Sequence, residues 1–179
     1  MPIAASDIAF NLSVTTGSAG NTVAQASPNA ALGKYVSTSL MAAGANGLFD
    51  DISGDENAAS TVDYRCFFVV NNHATLTLQN AVVYLSDVAG GANTTIAVDS
   101  LGPVAKGSAS AQAAVIATET TAPTGVGAFS APTTKAAGLA LGSLGPGQVR
   151  AVWVKRAATN SAAMNADGAT FFVAGDTAA

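Results

Sequence analysis

Residues 62–85 read VDYRCFFVVNNHATLTLQNAVVYL and form the densest apolar pattern in the chain. Even-numbered positions from Tyr64 to Val70 share one face of a strand, while Phe67 and Val69 share the other. A strand that is apolar on both faces is covered on both faces. The pattern therefore predicts a central strand of a packed β-sandwich.

The second half of the same stretch predicts a return strand, and with it a β-hairpin. The turn is Asn71–Thr75 (NNHAT), because Asn tolerates left-handed backbone and its side chain closes local hydrogen bonds. Leu76 and Leu78 share a face, whereas the apolar residues from Ala81 onward follow the opposite parity. A bulge near Gln79–Asn80 would bring both sets to one face.

Composition favours a subunit of an assembly. The chain has 179 residues, which predicts one domain, 1–179, with a core of its own. Hydrophobic residues make up 49% and charged residues only 10%, against about 25% in ordinary globular chains. Such a surface exposes apolar area unless neighbours cover it. The alternative is an ordinary soluble protein with alanine-rich loops.

Charge argues against nucleic acid as a partner. The formal net charge is −4 and the seven basic residues are scattered, so phosphate neutralisation is not expected. Arg65 is predicted near the edge of its strand, and Lys155–Arg156 is predicted as a solvated strand end that could face an acidic neighbour. No apolar run approaches the roughly 20 residues that span a bilayer, and no signal peptide is visible, so we expect synthesis in a cytoplasm and no membrane partner.

The first region, 1–60, combines a strand with long irregular segments. Ile8–Val14 alternates with period two and predicts a half-buried strand. Thr15–Ala31 is rich in small residues and predicts an extended N-terminal arm or a long loop, and Leu32–Ala43 is ambiguous between a strand and a helical turn. Leu48–Phe49 is expected to tuck into the core.

The second region, 61–179, is the predicted sandwich core. It is interrupted at about 100–136 by an insertion with few large apolar side chains, which we expect to lie on a neighbouring surface. Trp153, together with Tyr64 or Phe68, Val83 and Phe171, is expected in the core. Further strands are predicted at Thr94–Asp99, Ala114–Thr118 (short), Gly138–Leu144, Val149–Lys155 (a second central strand) and Gly168–Gly175.

No group of residues in the sequence predicts catalysis, a cofactor or a metal. His73 falls in the predicted turn, and Cys66 alternates with aromatic residues as a small buried hydrophobe. The acidic turn Asp50–Glu56 could chelate Ca²⁺ but lacks the loop of an EF-hand. We interpret it as a solvated acidic loop or one that pairs with a neighbour's basic residues. We therefore predict no catalytic, cofactor-binding or metal-binding residues.

Three blocks of the sequence resemble immunoglobulin-like structural proteins of tailed bacteriophage particles. The likeness covers about two thirds of the chain and misses most of residues 86–136. The opening AASDI (4–8) and PNAALG (28–33) are similar to the same group. The blocks are DYRCFFVVNNH (63–73) with LTLQNAVVYL (76–85), LALGSLGPGQVRAVWVKR (139–156) and FFVAGD (171–176).

The resemblance implies an immunoglobulin-like antiparallel β-sandwich of about seven to nine strands. It also implies a non-enzymatic virion protein, a capsid decoration or cement protein that binds the major capsid protein lattice and stabilises the head. Homo-oligomeric contacts on the particle would accompany that role. The alternative is a phage tail or cell-surface adhesion module with the same fold.

Overall fold

The computed structural model describes residues 2–89, 93–162 and 168–177. Two antiparallel sheets pack face to face, which confirms the predicted all-β sandwich. The one α-helix of the described residues, α1, is short and spans Gly54–Ala59. The described strands are β1 (Ile8–Val14), β2 (Tyr35–Leu40), β3 (Val62–Asn71), β4 (Leu78–Ala89), β5 (Asn93–Val98), β6 (Val104–Ala105), β7 (Leu139–Leu144), β8 (Gln148–Ala157) and β9 (Gly168–Thr177).

The larger sheet has the order β2-β1-β3-β8-β5, with β6 pairing to the start of β8, and the smaller has the order β7-β4-β9. Strand β3 is central, as predicted. Phe67 and Val69 face the other sheet and join the core between the sheets. Cys66 and Phe68 face outward and join a second apolar cluster that contains Trp153. Both faces of β3 are therefore buried.

The predicted hairpin is wrong, because β3 and β4 lie in different sheets. Strand β3 pairs with β1 and β8, whereas β4 pairs with β7 and β9. The turn at Asn71–Thr75 carries the chain from one sheet to the other. Asn71 Nδ2 supports this crossing by donating to Leu76 O at 2.9 Å and to Leu144 O at 2.8 Å. A period-two pattern shows that a strand is buried, but it does not say which strand lies beside it.

The predicted bulge in β4 is present. The register of β4 shifts between Leu78 and Val82 against β7 and between Gln79 and Val82 against β9, and Asn80 within this stretch has a φ of 49°. Leu78 before the bulge and Ala81, Val83 and Leu85 after it are all buried in the core between the sheets. The extra residue returns both apolar sets to the inner face, as the parity of the sequence requires.

The segment 100–136 covers the outer face of the larger sheet. Ala113 and Ile116 are buried against the cluster of Cys66 and Trp153. The surface on which this segment lies is the chain's own sheet, whereas a neighbouring surface was expected. The short strand predicted at Ala114–Thr118 is wrong, since Val115 makes only an isolated bridge to Gly33.

Residues 15–31 fold back along β2 and do not project as an arm. Asn21 N donates to Val36 O at 2.7 Å, and Thr38 N donates to Val23 O at 3.0 Å. These bonds occupy the outer edge of β2. The stretch Leu32–Ala43, which was ambiguous in the sequence, therefore contains a strand, Tyr35–Leu40. Leu48 is buried in the core, as expected.

Candidate interaction surface

Two arginines assigned to exposed positions are buried at one end of the sandwich. Arg65 is fully buried and pairs with Glu119, and Arg156 Nη2 lies 2.8 Å from Asp63 Oδ2. The ring of Phe49 lies 5.4 Å from the Arg65 guanidinium carbon and 4.7 Å from that of Arg156. The predicted edge position of Arg65 and the solvated end at Arg156 are therefore wrong. Both residues face the other sheet, where the loop that carries Phe49 closes over them.

The carboxylates of the acidic turn Asp50–Glu56 have different partners. Ser53 and Glu56 form a capping box that begins α1, and the hydrogen bonds from Ser53 lower the pKa of Glu56. Asp50 Oδ1 lies 3.6 Å from Arg156 Nη2. The basic partner of this turn is thus in the same chain. Within residues 2–89, 93–162 and 168–177, no three His, Cys, Asp or Glu side chains are grouped so that they could hold a metal ion.

The contacts of Cys66 and His73 give each side chain a role in the fold. Cys66 is buried, and burial raises the pKa of its thiol well above the usual range. His73 Nδ1 accepts hydrogen bonds from Thr75 N at 3.1 Å and from Leu76 N at 2.9 Å within the crossing turn.

Two buried polar residues that sequence reasoning missed hold the covering segment in place. The Asp99 carboxylate accepts from Trp153 Nε1 at 3.0 Å, from Ala114 N at 2.8 Å and from Leu101 N at 3.0 Å. Gln112 Oε1 accepts from Val36 N at 2.8 Å. The sequence offered one signal, because Asp99 is a single acidic residue at the end of an apolar strand. That signal does not identify the partners of its carboxylate.

The outer face of the smaller sheet has no such cover among the described residues. Tyr84 and Phe172 are paired across β4 and β9, and their rings stack with centroids 5.5 Å apart and planes 18° apart. Phe172 belongs to a predicted strand of the core region, yet 41% of it is exposed. Phe171, which was expected in the core, faces inward, and its ring centroid lies 5.0 Å from that of Phe67.

Beside the aromatic pair, the described side chains of this face are small and mostly uncharged. Ala140, Val82 and Ala174 form a row across β7, β4 and β9. Asp176 is the only charged residue of β9, and its carboxylate lies 3.6 Å from Lys135 Nζ. The surface therefore offers apolar contact and little electrostatic steering.

The free edge of β9 adjoins this face. The outer edge of β2 is occupied by residues 21–23, and that of β5 by residues that include Ser130 and Val126. In contrast, β9 pairs only with β4 among the described residues. It contains no proline, and about half of its main-chain N–H and C=O groups point away from β4.

A shallow groove runs along the second half of this edge. Its walls include Ile3 and Ile8 on one side and Val173, Gly175 and Thr177 on the other. Val173, Gly175 and Thr177 share the inward-facing parity of Phe171, so the groove opens between β9 and the N-terminal segment that contains Ile3 and Ile8. An extended, apolar segment has the shape and chemistry to enter it.

Comparison with known proteins identifies no relative. No protein-family model, curated protein or solved structure matches the chain at a significant level. Within the described parts of the chain, no helix has both the length and the apolar character needed to cross a membrane.

Proposed function

We propose that this protein is a non-enzymatic component of a bacteriophage virion, a capsid decoration protein that binds the major capsid protein lattice and stabilises the head. The observation that carries the proposal is the open side of the smaller sheet. There, an apolar face with the Tyr84–Phe172 pair adjoins the edge of β9, which no second strand of the described residues pairs with. We call this combined region the open side. It is the contact surface we assign to the capsid lattice.

Strand order supports an immunoglobulin-like version of the sandwich. In the constant-type immunoglobulin fold, one sheet has the order A-B-E-D and the other places C beside F and F beside G. The order β1-β3-β8-β5 corresponds to the first sheet, and β4-β9 corresponds to C-F. Strands β2 and β7 extend the two sheets, and no described strand occupies the place of G. A segment of the capsid protein added at the edge of β9 would take that place.

The contacts of the buried charged side chains support a structural role. Among the described residues, the buried acid Asp99 binds Trp153 and two backbone amides, and the buried Arg156 binds Asp63 and Asp50. These groups stabilise the fold and are not gathered in a cleft. A decoration protein requires binding surface and stability, and no reacting group.

The Tyr84–Phe172 pair also favours the second candidate, a tail or cell-surface adhesion module. Exposed aromatic rings beside polar groups are typical of sites that bind small ligands. Here Asn80 and Asp176, joined by a hydrogen bond of 3.2 Å, lie further along the same face. The two candidates use the same surface but differ in how many copies a particle would carry.

Copy number in purified particles distinguishes the candidates. Quantitative mass spectrometry should find this chain in a fixed stoichiometry with the major capsid protein, at hundreds of copies per particle. A handful of copies would support the adhesion module, and absence from the particle would contradict both.

A pair of matched variants tests the surface itself. Phe172→Asp places a charge on the open side and should abolish rebinding to particles stripped of the protein. Leu40→Asp changes a residue that is 65% exposed on β2 and should leave rebinding unchanged. Equal rebinding of the two folded variants would show that the open side is not the contact.

A further inference from the structure

We propose that Asn46 is a site of spontaneous deamidation, and that its conversion opens the loop that closes one end of the sandwich. The inference does not depend on the proposed function. It starts from the sequence, where Asn46–Gly47 is the only Asn–Gly pair in the chain. It is then carried by what the Asn46 amide holds together.

The reaction needs only the chain and water. The backbone nitrogen of Gly47 attacks Cγ of Asn46 and forms a five-membered succinimide, while the side-chain nitrogen leaves as ammonia. Water then adds to one of the two ring carbonyls and gives aspartate or isoaspartate. No electron transfer is involved. Glycine favours the first step because it has no side chain to shield its nitrogen.

The structure places this pair in a surface loop, residues 44–51, in which Gly47 itself is buried. Asn46 is exposed and has a left-handed φ of 60°. Glycine is required at position 47, because an added Cβ would overlap the carbonyl oxygen of Ala42. The reactive dipeptide is therefore a structural requirement of the loop, and any substitution that removed Gly47 would strain it.

The Asn46 amide closes the loop. With its amide oriented to satisfy its neighbours, Asn46 Nδ2 donates to Phe49 O at 3.3 Å and to Asp51 Oδ1 at 3.1 Å. The loop so closed inserts Leu48 into the core and places Phe49 between Arg65 and Arg156. One amide group thus supports the covering of two buried guanidinium groups.

Deamidation replaces this donor by an acceptor. A carboxylate at position 46 would face the Phe49 carbonyl and the Asp51 carboxylate, so two hydrogen bonds are lost and two negative charges are brought together. The hydrogen-bonded amide is held in the closed loop, and attack by Gly47 N requires the loop to open. The conversion is irreversible because ammonia is lost to solvent, and its product disfavours reclosure of the loop.

Timed peptide mapping of the full chain tests the site. After incubation at mildly alkaline pH, mass spectrometry should show replacement of NH₂ by OH at Asn46 several-fold faster than at Asn160. Asn160 is the matched control, since it is also exposed, has a φ of 50° and precedes a small residue, Ser161. Conversion at Asn46 no faster than at Asn160 would overturn the proposal.

A variant pair tests the consequence without waiting for the reaction. Asn46→Asp should lower the thermal midpoint and increase amide exchange across residues 44–51. The double variant Asn46→Asp with Asp51→Asn restores a donor opposite an acceptor and should recover both measurements. If Asn46→Asp matches the unmodified protein in both, or if the double variant is no better, then the amide does not close the loop.

Discussion

The chain covers the outer face of the larger sheet, whereas the described residues leave the outer face of the smaller sheet open. On the larger sheet, Phe68 and Cys66 are buried beneath Ala113 and Ile116 of the covering segment 100–136. On the smaller sheet, the described residues leave Phe172 exposed. The two faces carry similar aromatic residues, so side-chain type does not explain the difference. It follows from where the long insertion lies.

The comparison teaches how a segment poor in large apolar residues becomes ordered. Segment 100–136 contributes few large apolar contacts, yet buried polar groups such as Asp99 and Gln112 hold its backbone through directed hydrogen bonds. Because those bonds are shielded from water, breaking one leaves an unsatisfied buried group. The smaller sheet has no equivalent insertion among the described residues, and its face remains available.

The largest expected effect is at the centre of the covered face. Trp153→Ala removes a fully buried side chain and should lower the free energy of unfolding by about 3–5 kcal/mol. Urea denaturation followed by circular dichroism measures it. A loss below about 1 kcal/mol would mean that the covering segment collapses into the space or does not pack there.

A smaller effect is expected from the residue that attaches the cover. Asp99→Ala leaves Ala114 N and Trp153 Nε1 without their acceptor and should cost about 2–3 kcal/mol. Hydrogen exchange should show that protection is lost in residues 112–116 first. Asp55→Ala, which removes an exposed carboxylate, is the control. Equal effects of the two variants would show that Asp99 does not hold the segment.

Cys66, beneath the cover, predicts a pH dependence. Burial raises the pKa of its thiol, so the unfolded chain ionises first, at about pH 8.5. The stabilisation is therefore complete below that pH and is lost above it, by up to about 1.4 kcal/mol per pH unit. Denaturation of the unmodified protein and of Cys66→Ala between neutral and alkaline pH measures the difference. Parallel curves would contradict burial of the thiol.

The smallest effect is expected on the open side. Phe172→Ala removes a half-exposed ring stacked on Tyr84 and should cost only about 0.5–1 kcal/mol. Phe68→Ala, the same substitution under the cover, should cost about 3–5 kcal/mol. Similar values for the two variants would remove the distinction between a covered and an open sheet.

Several features of the fold were predictable from short-range patterns. Alternation identified β1 and the burial of β3 on both faces, and the change of parity identified the bulge at Asn80. These features depend on the direction of successive side chains along one strand, which the chain geometry determines locally. Trp153 was likewise expected in the core and is fully buried.

Pairing and burial of charge were not predictable in this way. Which strand lies beside β3, and why Arg65 and Arg156 are enclosed, depends on residues more than fifty positions away, such as Glu119 and Asp63. Sequence patterns also placed Phe171 and Phe172 on one strand of the core region, because they show that a strand has two faces without showing that the face of Phe172 is left open.

The sequence by itself determined that this protein is an all-β sandwich, where most of its strands begin and end, and which strand is buried on both faces. Only the tertiary structure decided that β3 and β4 belong to opposite sheets, that segment 100–136 covers the larger sheet, and that β9 keeps a free edge among the described residues. The physical reason is the separation in sequence over which each property is determined. Side-chain alternation is a property of neighbouring residues, whereas coverage of a face depends on contacts between segments distant in the chain.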